Sequence, residues 1–364
     1  MSQFKPIFII LFALQTTFIY SQKTISKKEK QAAIENVKES IDSNYVFVDK
    51  AKRINKALDS IYASGRYNPV NEYKAFATTL TNDLLTISKD KHFEVQYRPD
   101  LAESRRKREA ENDDQIEEHE ETFDINYWYS QKINFGFEKV EILEGNIGYI
   151  KLTFFDIFQW VKPTIDATMG FVANTDALII DLRGNGGGYR SATYMASYFF
   201  DEKPLLWSTT YNRATGETEN EYIFQEIDGT RYLDKPIYIL VDGKSFSRAE
   251  GFSYGMKHFK KATIIGQTTP GAAHGINFVE LDNSFFIQVP VERNINPITK
   301  TDWEGKGVIP HIRTKEEETL KVAYTKALEM LMTSKKDEAL GRHYDKLLKK
   351  YQGIIEKINN QSAK

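Results

Sequence analysis

The sequence predicts an α/β protein, with a helical N-terminal segment followed by a core of helices packed on a largely parallel sheet. Three observations carry this expectation. Residues 26–88 repeat apolar side chains at helical spacing. Short β-branched and aliphatic runs at 177–182, 237–241 and 262–266 alternate with further helical patterns. The first two of those runs end in turn residues that lead into a helix, Gly184-Asn-Gly-Gly-Gly188 and Asp242-Gly243.

In chain order, Ala32, Ile34, Val37 and Ile41 mark a first helix, and Ala51, Ile54, Leu58 and Ile61 a second. Gly65 and Pro69 separate the second from a third, which carries Phe76, Leu80 and Leu84. After His92 the pattern changes to strand-like alternation. Residues 98–122 carry dense mixed charge and almost no apolar residues, which reads as a solvated helix or a loose linker. Runs at 133–143 and 147–155 flank Glu144-Gly145-Asn146 and predict a hairpin. A helix is expected over 159–173, a buried strand from Ala177, and a helix through Ala192, Met195, Ala196 and Phe199. Runs at 278–281 and 285–290 flank Asp282-Asn283, a second hairpin signal. Two helical patterns, 315–332 and 336–358, end the chain.

Composition narrows the function classes. The 364 residues are enough for about two domains, and 41% hydrophobic with 27% charged residues is ordinary for a globular chain. A net charge of −2 argues against a nucleic-acid or anionic-membrane surface as partner. Absence of cysteine excludes disulfides, thiol catalysis and cysteine-ligated metal. Lys5 precedes the apolar run Pro6-Ile-Phe-Ile-Ile-Leu-Phe-Ala-Leu14, the layout of a secretory signal, with cleavage expected near Ser21. A periplasmic or secreted protein with no membrane span after cleavage is therefore expected. His119, His258, His311 and His343 have no spacing that suggests a metal site, and no metal or cofactor is expected.

The stretch that organises the chain is Pro236-Ile-Tyr-Ile-Leu-Val-Asp-Gly-Lys-Ser-Phe-Ser-Arg-Ala-Glu250. A strand, a tight turn and a helix start with a serine on the bend is where hydrolases expose a nucleophile, beside the free N–H groups of the helix. Ser245 or Ser247 can instead cap the helix. Gly243-Lys244-Ser245 is not a phosphate loop, since Tyr238 stands where that loop needs glycine. Neither serine has the Gly-x-Ser-x-Gly pattern of an α/β-hydrolase. The glycine turn at 184–188 also fails the dinucleotide fingerprint, because Tyr189 and Ser191 occupy positions where its third glycine could fall.

Four separated segments together resemble one family: 178–188, Ser245-Phe-Ser-Arg-Ala-Glu250, Ile264-Ile-Gly-Gln-Thr-Thr-Pro-Gly271, and Trp303-Glu-Gly-Lys-Gly-Val-Ile-Pro310. This is the family of the C-terminal processing (tail-specific) peptidases, the tricorn core and the interphotoreceptor retinoid-binding protein. The resemblance covers about residues 130–312, and the helical segment is similar to the N-terminal domain of the retinoid-binding branch. It implies a crotonase-like (ClpP-like) α/β catalytic core with flanking β-hairpins and C-terminal helices. The expected organisation is a signal peptide at 1–21, a helical domain at 22–97, a charged linker at 98–130, the catalytic core at 131–313 and C-terminal helices at 314–364. No peptide-binding PDZ insertion is evident between His92 and the core.

The resemblance also implies site roles. Ala272 stands where tail-specific members carry their lysine base, so the tricorn-like arrangement is expected: Ser247 as nucleophile, His92 as general base and acid, and Glu304 as the carboxylate that orients it. Lys91 stands in place of the serine that precedes the tricorn histidine. Backbone N–H groups of Gly187 and Arg248 are the implied oxyanion hole, and Arg183 is expected to hold the glycine turn through a charge pair or carbonyls. His274, with Ala272 in the loop after the nucleophile helix, is a rival base or a substrate-side residue on a mobile loop. The expected function is an exported serine peptidase cleaving unstructured polypeptides or protein C-termini through an acyl-enzyme. The alternative is a non-catalytic protein binding an apolar ligand in the same cleft, and a small-ester hydrolase is a third reading.

Overall fold

In the computed structural model the described residues are 24–110, 125–201, 203–282, 284–333 and 342–360. The expected signal segment and its cleavage site lie outside them, as does His119. None of the described helices is long and apolar enough to cross a membrane.

The N-terminal segment forms the three expected helices, α1 (Lys27–Asn44), α2 (Val48–Ala63) and α3 (Tyr73–Ser88). Ser26 and Glu29 start α1 as a reciprocal cap: Glu29 N–H donates to Ser26 Oγ at 3.2 Å, and Ser26 N–H to the Glu29 carboxylate at 2.8 Å. Helix α3 stops where Lys89 turns left-handed (φ 60°). The turn after it carries Asp90 and His92 into strand β1 (Glu94–Tyr97). The first part of the charged stretch is helix α4 (Pro99–Ala110), on which Arg105 lies over the Phe286 ring and pairs with Glu280 at 3.3 Å.

A short helix α5 (Ile125–Lys132), not expected, precedes the hairpin β2 (Phe137–Leu143) and β3 (Ile147–Leu152). Then come α6 (Phe158–Val172), β4 (Ala177–Asp181) and α7 (Ser191–Ser197). A hairpin missing from the expectation follows, β5 (Leu206–Asn212) and β6 (Thr218–Tyr222). Its strands are half polar, with Ser208, Thr209, Thr210, Glu219 and Glu221, so hydrophobic periodicity does not mark them. Next are β7 (Ile237–Val241), α8 (Arg248–His258), β8 (Thr263–Gly266), β9 (His274–Glu280) and β10 (Phe285–Ile295). The last elements are β11 (Ile312–Arg313), α9 (Thr319–Thr333) and α10 (Arg342–Asn360).

Two sheets result. The larger has the order β11-β8-β7-β4-β3-β2, parallel except for the β2–β3 pair. Its central strands are buried along their whole length, as a sheet covered on both faces requires. Leu178, Ile180, Ile237, Ile239 and Val241 pack into a cluster with residues of α6, α7 and α8. The alternate residues Ala177, Ile179, Tyr238, Leu240 and Ile265 pack with those of α9 and α10. The smaller sheet is antiparallel, β1-β10-β5-β6 with β9 also on β10. Phe285, Ile287, Val289 and Val291 of β10 share one core with α1, α2 and α3, so the N-terminal helices lean on a strand some 200 residues later in the sequence.

Candidate active site

Strands β4 and β7 are parallel neighbours, so the loops leaving their C-terminal ends meet, which is where open α/β sheets hold their sites. Gly184 N–H donates to Asp242 Oδ1 at 3.0 Å, and Phe246 N–H to the Asn185 carbonyl at 2.9 Å. Ser245 is completely buried; its Oγ donates to the Leu182 carbonyl at 2.8 Å and accepts from Asp242 N–H at 2.9 Å. Its hydroxyl is a strut between the two loops. Arg183 grips the fully buried Asp181 with Nη2 at 2.6 Å and Nε at 2.9 Å, the charge pair expected of it.

Ser247 sits at the N-cap of α8 with φ 50° and ψ −115°, a backbone region that residues with a Cβ rarely adopt. The strain is held from one side by Gly187, where a Cβ would lie 2.9 Å from Ser247 Cβ and from the Phe246 carbonyl. Glu250 holds the other side. Wholly buried, its carboxylate accepts from Ser247 N–H (3.0 Å), Thr269 Oγ1 (2.5 Å), Gly271 N–H (2.7 Å) and Ala272 N–H (2.9 Å). Burial pushes its carboxyl up despite these donors. This glutamate therefore ties the bend to the loop that follows β8.

That loop is not the mobile segment its glycines suggest. Ala272 is fully buried, and its carbonyl accepts from Trp303 Nε1 at 2.9 Å. Gly307 lies so near the Thr269 carbonyl that a Cβ would meet the oxygen at 2.0 Å, which locks the loop to the segment carrying Glu304. His274 starts strand β9 and is 2% exposed. The loop is thus tied down at Gly271 and Ala272, while His274, which lines the cavity with Ser247, is held at the start of strand β9.

Asp90, His92, His274 and Glu304 converge although they come from three distant segments. Asp90 is 2% exposed and accepts from His274 Nδ1 (2.7 Å), His92 N–H (3.1 Å) and Tyr45 Oη (3.3 Å). Its Oδ1 also stands 3.6 Å from His92 Nδ1. Burial pushes the Asp90 carboxyl up, but hydrogen bonds and charges from His274 and His92 outweigh it and leave it below the ordinary range. His274 is pulled down by burial and up more strongly by Asp90 and Glu304, so it ends raised. Glu304 accepts from Ala273 N–H at 2.8 Å and has Oε2 3.5 Å from His274 Nδ1. Burial, with the Asp90 charge beside it, pushes its carboxyl up to about 7. His92 is 9% exposed, neither ring nitrogen makes a hydrogen bond, and the ring packs 5.0 Å from that of Phe246.

The carboxylate beside His92 is thus Asp90, whereas Glu304 lies nearer His274. Nothing in the sequence alone assigns Asp90 this place. The spacing held only a local signal, since an aspartate two residues before the histidine closes an Asx turn on its N–H. Ser247, Arg248, His92, His274 and the glycines 186 and 188 line one cavity of about 460 Å³. Gly187 N–H is engaged with Asn185 Oδ1 at 2.8 Å. Among the described residues, neither Gly188 N–H nor Arg248 N–H has a hydrogen-bond partner. A strained serine, free N–H donors and an unengaged imidazole around one cavity, with the buried carboxylates of Asp90 and Glu304 beside the imidazoles, are the parts of an acyl-transfer site.

An α/β fold with such a site describes a protein of the serine-hydrolase type. The chain belongs to peptidase family S41: the model described as peptidase family S41 matches residues 146–314, and that of the N-terminal domain of peptidase S41 in eukaryotic IRBP matches 24–144. The carboxy-terminal processing protease CtpA of Bacillus subtilis is 25% identical over 190 residues, 51% of this chain and 39% of its own. The chloroplastic carboxyl-terminal-processing peptidase 2 of Arabidopsis thaliana is 27% identical over 169 residues, 45% of this chain and 31% of its own. The chain thus spans well under half the length of these relatives. In fold it is similar to a crystal structure of a candidate peptidase from Parabacteroides merdae, with a TM-score of 0.57 at 19% identity, covering 82% of this chain and 96% of that one.

Proposed function

We propose that the protein is an exported serine peptidase that cleaves extended polypeptides through a Ser247 acyl-enzyme. One observation carries the reading: the strained Ser247 shares its cavity with His92, a buried imidazole with both nitrogens unengaged. His92 takes the Ser247 hydroxyl proton as Oγ attacks the substrate carbonyl, then returns it to the leaving amine. Asp90 accepts the His92 backbone N–H at 3.1 Å and stands 3.6 Å from Nδ1, so it is the carboxylate placed to stabilise the imidazolium by charge, with Glu304 as the second acidic group of the cluster. Arg248 N–H and a glycine-turn N–H receive the oxyanion. The family resemblance implies Gly187 as that second donor, but its N–H is held by Asn185 Oδ1 and Gly188 has the unengaged N–H.

A polypeptide substrate is supported by shape. A second depression, of about 620 Å³, shares Gly188, Tyr189 and Arg248 with the first. Strand β9, starting at His274, pairs among the described strands on one edge only, leaving backbone groups beside the site for an extended chain. The apolar-ligand alternative gains no support: beside its aromatic residues the cavity is lined by His92, His274, Arg248 and Glu292, which an apolar ligand would desolvate. Export rests on the signal-like residues 1–21.

The test is labelling by a fluorophosphonate followed by single-turnover acylation with a peptide ester. Ser247→Ala should abolish labelling, and His92→Ala should slow acylation by several orders of magnitude. His274→Ala, which removes a partner of Asp90, should cost far less in kcat. Normal acylation by His92→Ala with a dead His274→Ala would assign the base to His274 instead.

A further inference from the structure

We infer that the cluster of Asp90, His92 and Glu304 is also a binding site for a divalent transition-metal ion, Zn²⁺ in particular, and that the ion switches the peptidase off. One ligand atom from each residue can be chosen so that all three lie within 4.8 Å of one another. Asp90 Oδ1 and His92 Nδ1 are 3.6 Å apart, close to the roughly 3.3 Å between neighbouring ligands on a tetrahedral zinc with bonds near 2.0–2.1 Å. An independent feature points to a ligand here. His92 is nine-tenths buried, lines the cavity, and has neither nitrogen engaged. Glu304 Oε1 is likewise buried without a partner.

The donor set selects the metal. One imidazole and two carboxylates suit Zn²⁺, whereas Mg²⁺ and Ca²⁺ prefer oxygen alone. His274 supplies the outer contact that fixes a ligating carboxylate, since its Nδ1 holds Asp90 Oδ2 at 2.7 Å. Three protein ligands leave a fourth position for water. Two carboxylates enclosed together also repel, and a dication between them relieves that repulsion. The sequence carries no metal spacing because the ligands come from residues 90–92 and 304, brought together only by packing.

Inhibition follows from the same geometry and rests on the peptidase reading. With Nδ1 bound to zinc, the neutral His92 ring carries its proton on Nε2, which then has no lone pair to accept the serine proton. Binding does not rest on that reading, so it is measured first on Ser247→Ala chain freed of metal with a chelator. Calorimetric titration with Zn²⁺ should give one equivalent per chain, and Mg²⁺ should give no heat. Adding Asp90→Asn or His92→Ala should weaken Zn²⁺ binding at least tenfold, while His258→Ala and His311→Ala, outside the cluster, should not. Thermal melts in chelator establish that each variant is folded; should His92→Ala fail to fold, Asp90→Asn decides. No saturable binding, or binding unchanged in the cluster variants, overturns the site. With active protein, Zn²⁺ should abolish peptide cleavage over the concentration range in which it binds, and chelator should restore it. Binding without any peptidase activity in chelator would retain the metal site and remove the peptidase reading. Cleavage unaffected by saturating Zn²⁺ would overturn the switch.

Discussion

At the scale of single residues, the site combines a strained serine with an unfavourably buried carboxyl. The backbone conformation of Ser247 costs of order 1–3 kcal/mol in a residue with a Cβ, and glycine adopts it freely. Ser247→Ala should therefore lose peptidase activity with little change in Tm, while Ser247→Gly should be equally inactive and melt higher than Ser247→Ala. Equal melting of the two would mean that the bend is unstrained. Glu304 titrates at about 7 in the folded chain against an ordinary 4.5. A raised folded value means that its contribution to stability is complete below about 4.5 and lost as pH rises through about 7. His274, also raised, acts in the same sense, and Asp90, depressed, acts only at much lower pH. Glu304→Gln keeps an acceptor for Ala273 N–H but no ionisable proton. Its Tm should vary less between pH 5 and 8 than that of the parent, and parallel Tm profiles would count against the assignment.

Among the elements, the junctions matter more than the strands and helices. Helix α8 begins correctly only because Glu250, in its first turn, receives three backbone N–H groups and a threonine hydroxyl. Each buried donor left without a partner costs about 1–3 kcal/mol. Glu250→Ala should thus destabilise the chain by more than about 3 kcal/mol in urea unfolding. It should also lower kcat, because the Ser247 bend and the Ala272 loop lose their common anchor. Ser26→Ala, which removes one half of the cap on α1, should cost only about 1 kcal/mol and leave kcat untouched. A reversed ranking of the two would contradict the anchoring role of Glu250.

For the whole molecule, the N-terminal helices pack on the core through β10 and should unfold with it as one unit. Phe285, Ile287, Val289 and Val291 are buried against α1–α3, and each such side chain contributes about 1.5–3 kcal/mol by burial. A chain shortened to residues 125–364 would expose this row and lose Asp90 and His92. It should aggregate on gel filtration and give no acylation. A monodisperse, folded fragment would mean that the two segments are separable domains.

By itself the sequence determined the three N-terminal helices, the buried strands β4 and β7 and the glycine and serine turns at their ends. Local patterns specify these: period 3.6 on the helices, unbroken apolar runs in strands covered on both faces, and left-handed or close-packed turns that demand glycine. It did not reveal β5 and β6, whose polar faces leave no periodic signal. The grouping of site residues was legible only in part. The family resemblance pointed to Ser247 and His92, whereas local sequence left either Ser245 or Ser247 as the cap of the helix. Only the tertiary structure decided that Asp90, rather than Glu304, is the carboxylate beside His92, that Gly187 N–H is taken by Asn185, and that the loop around Ala272 is locked. Those outcomes depend on how a helix terminus, a sheet strand and a late loop pack against one another, and distances across such packing leave no imprint on local residue spacing.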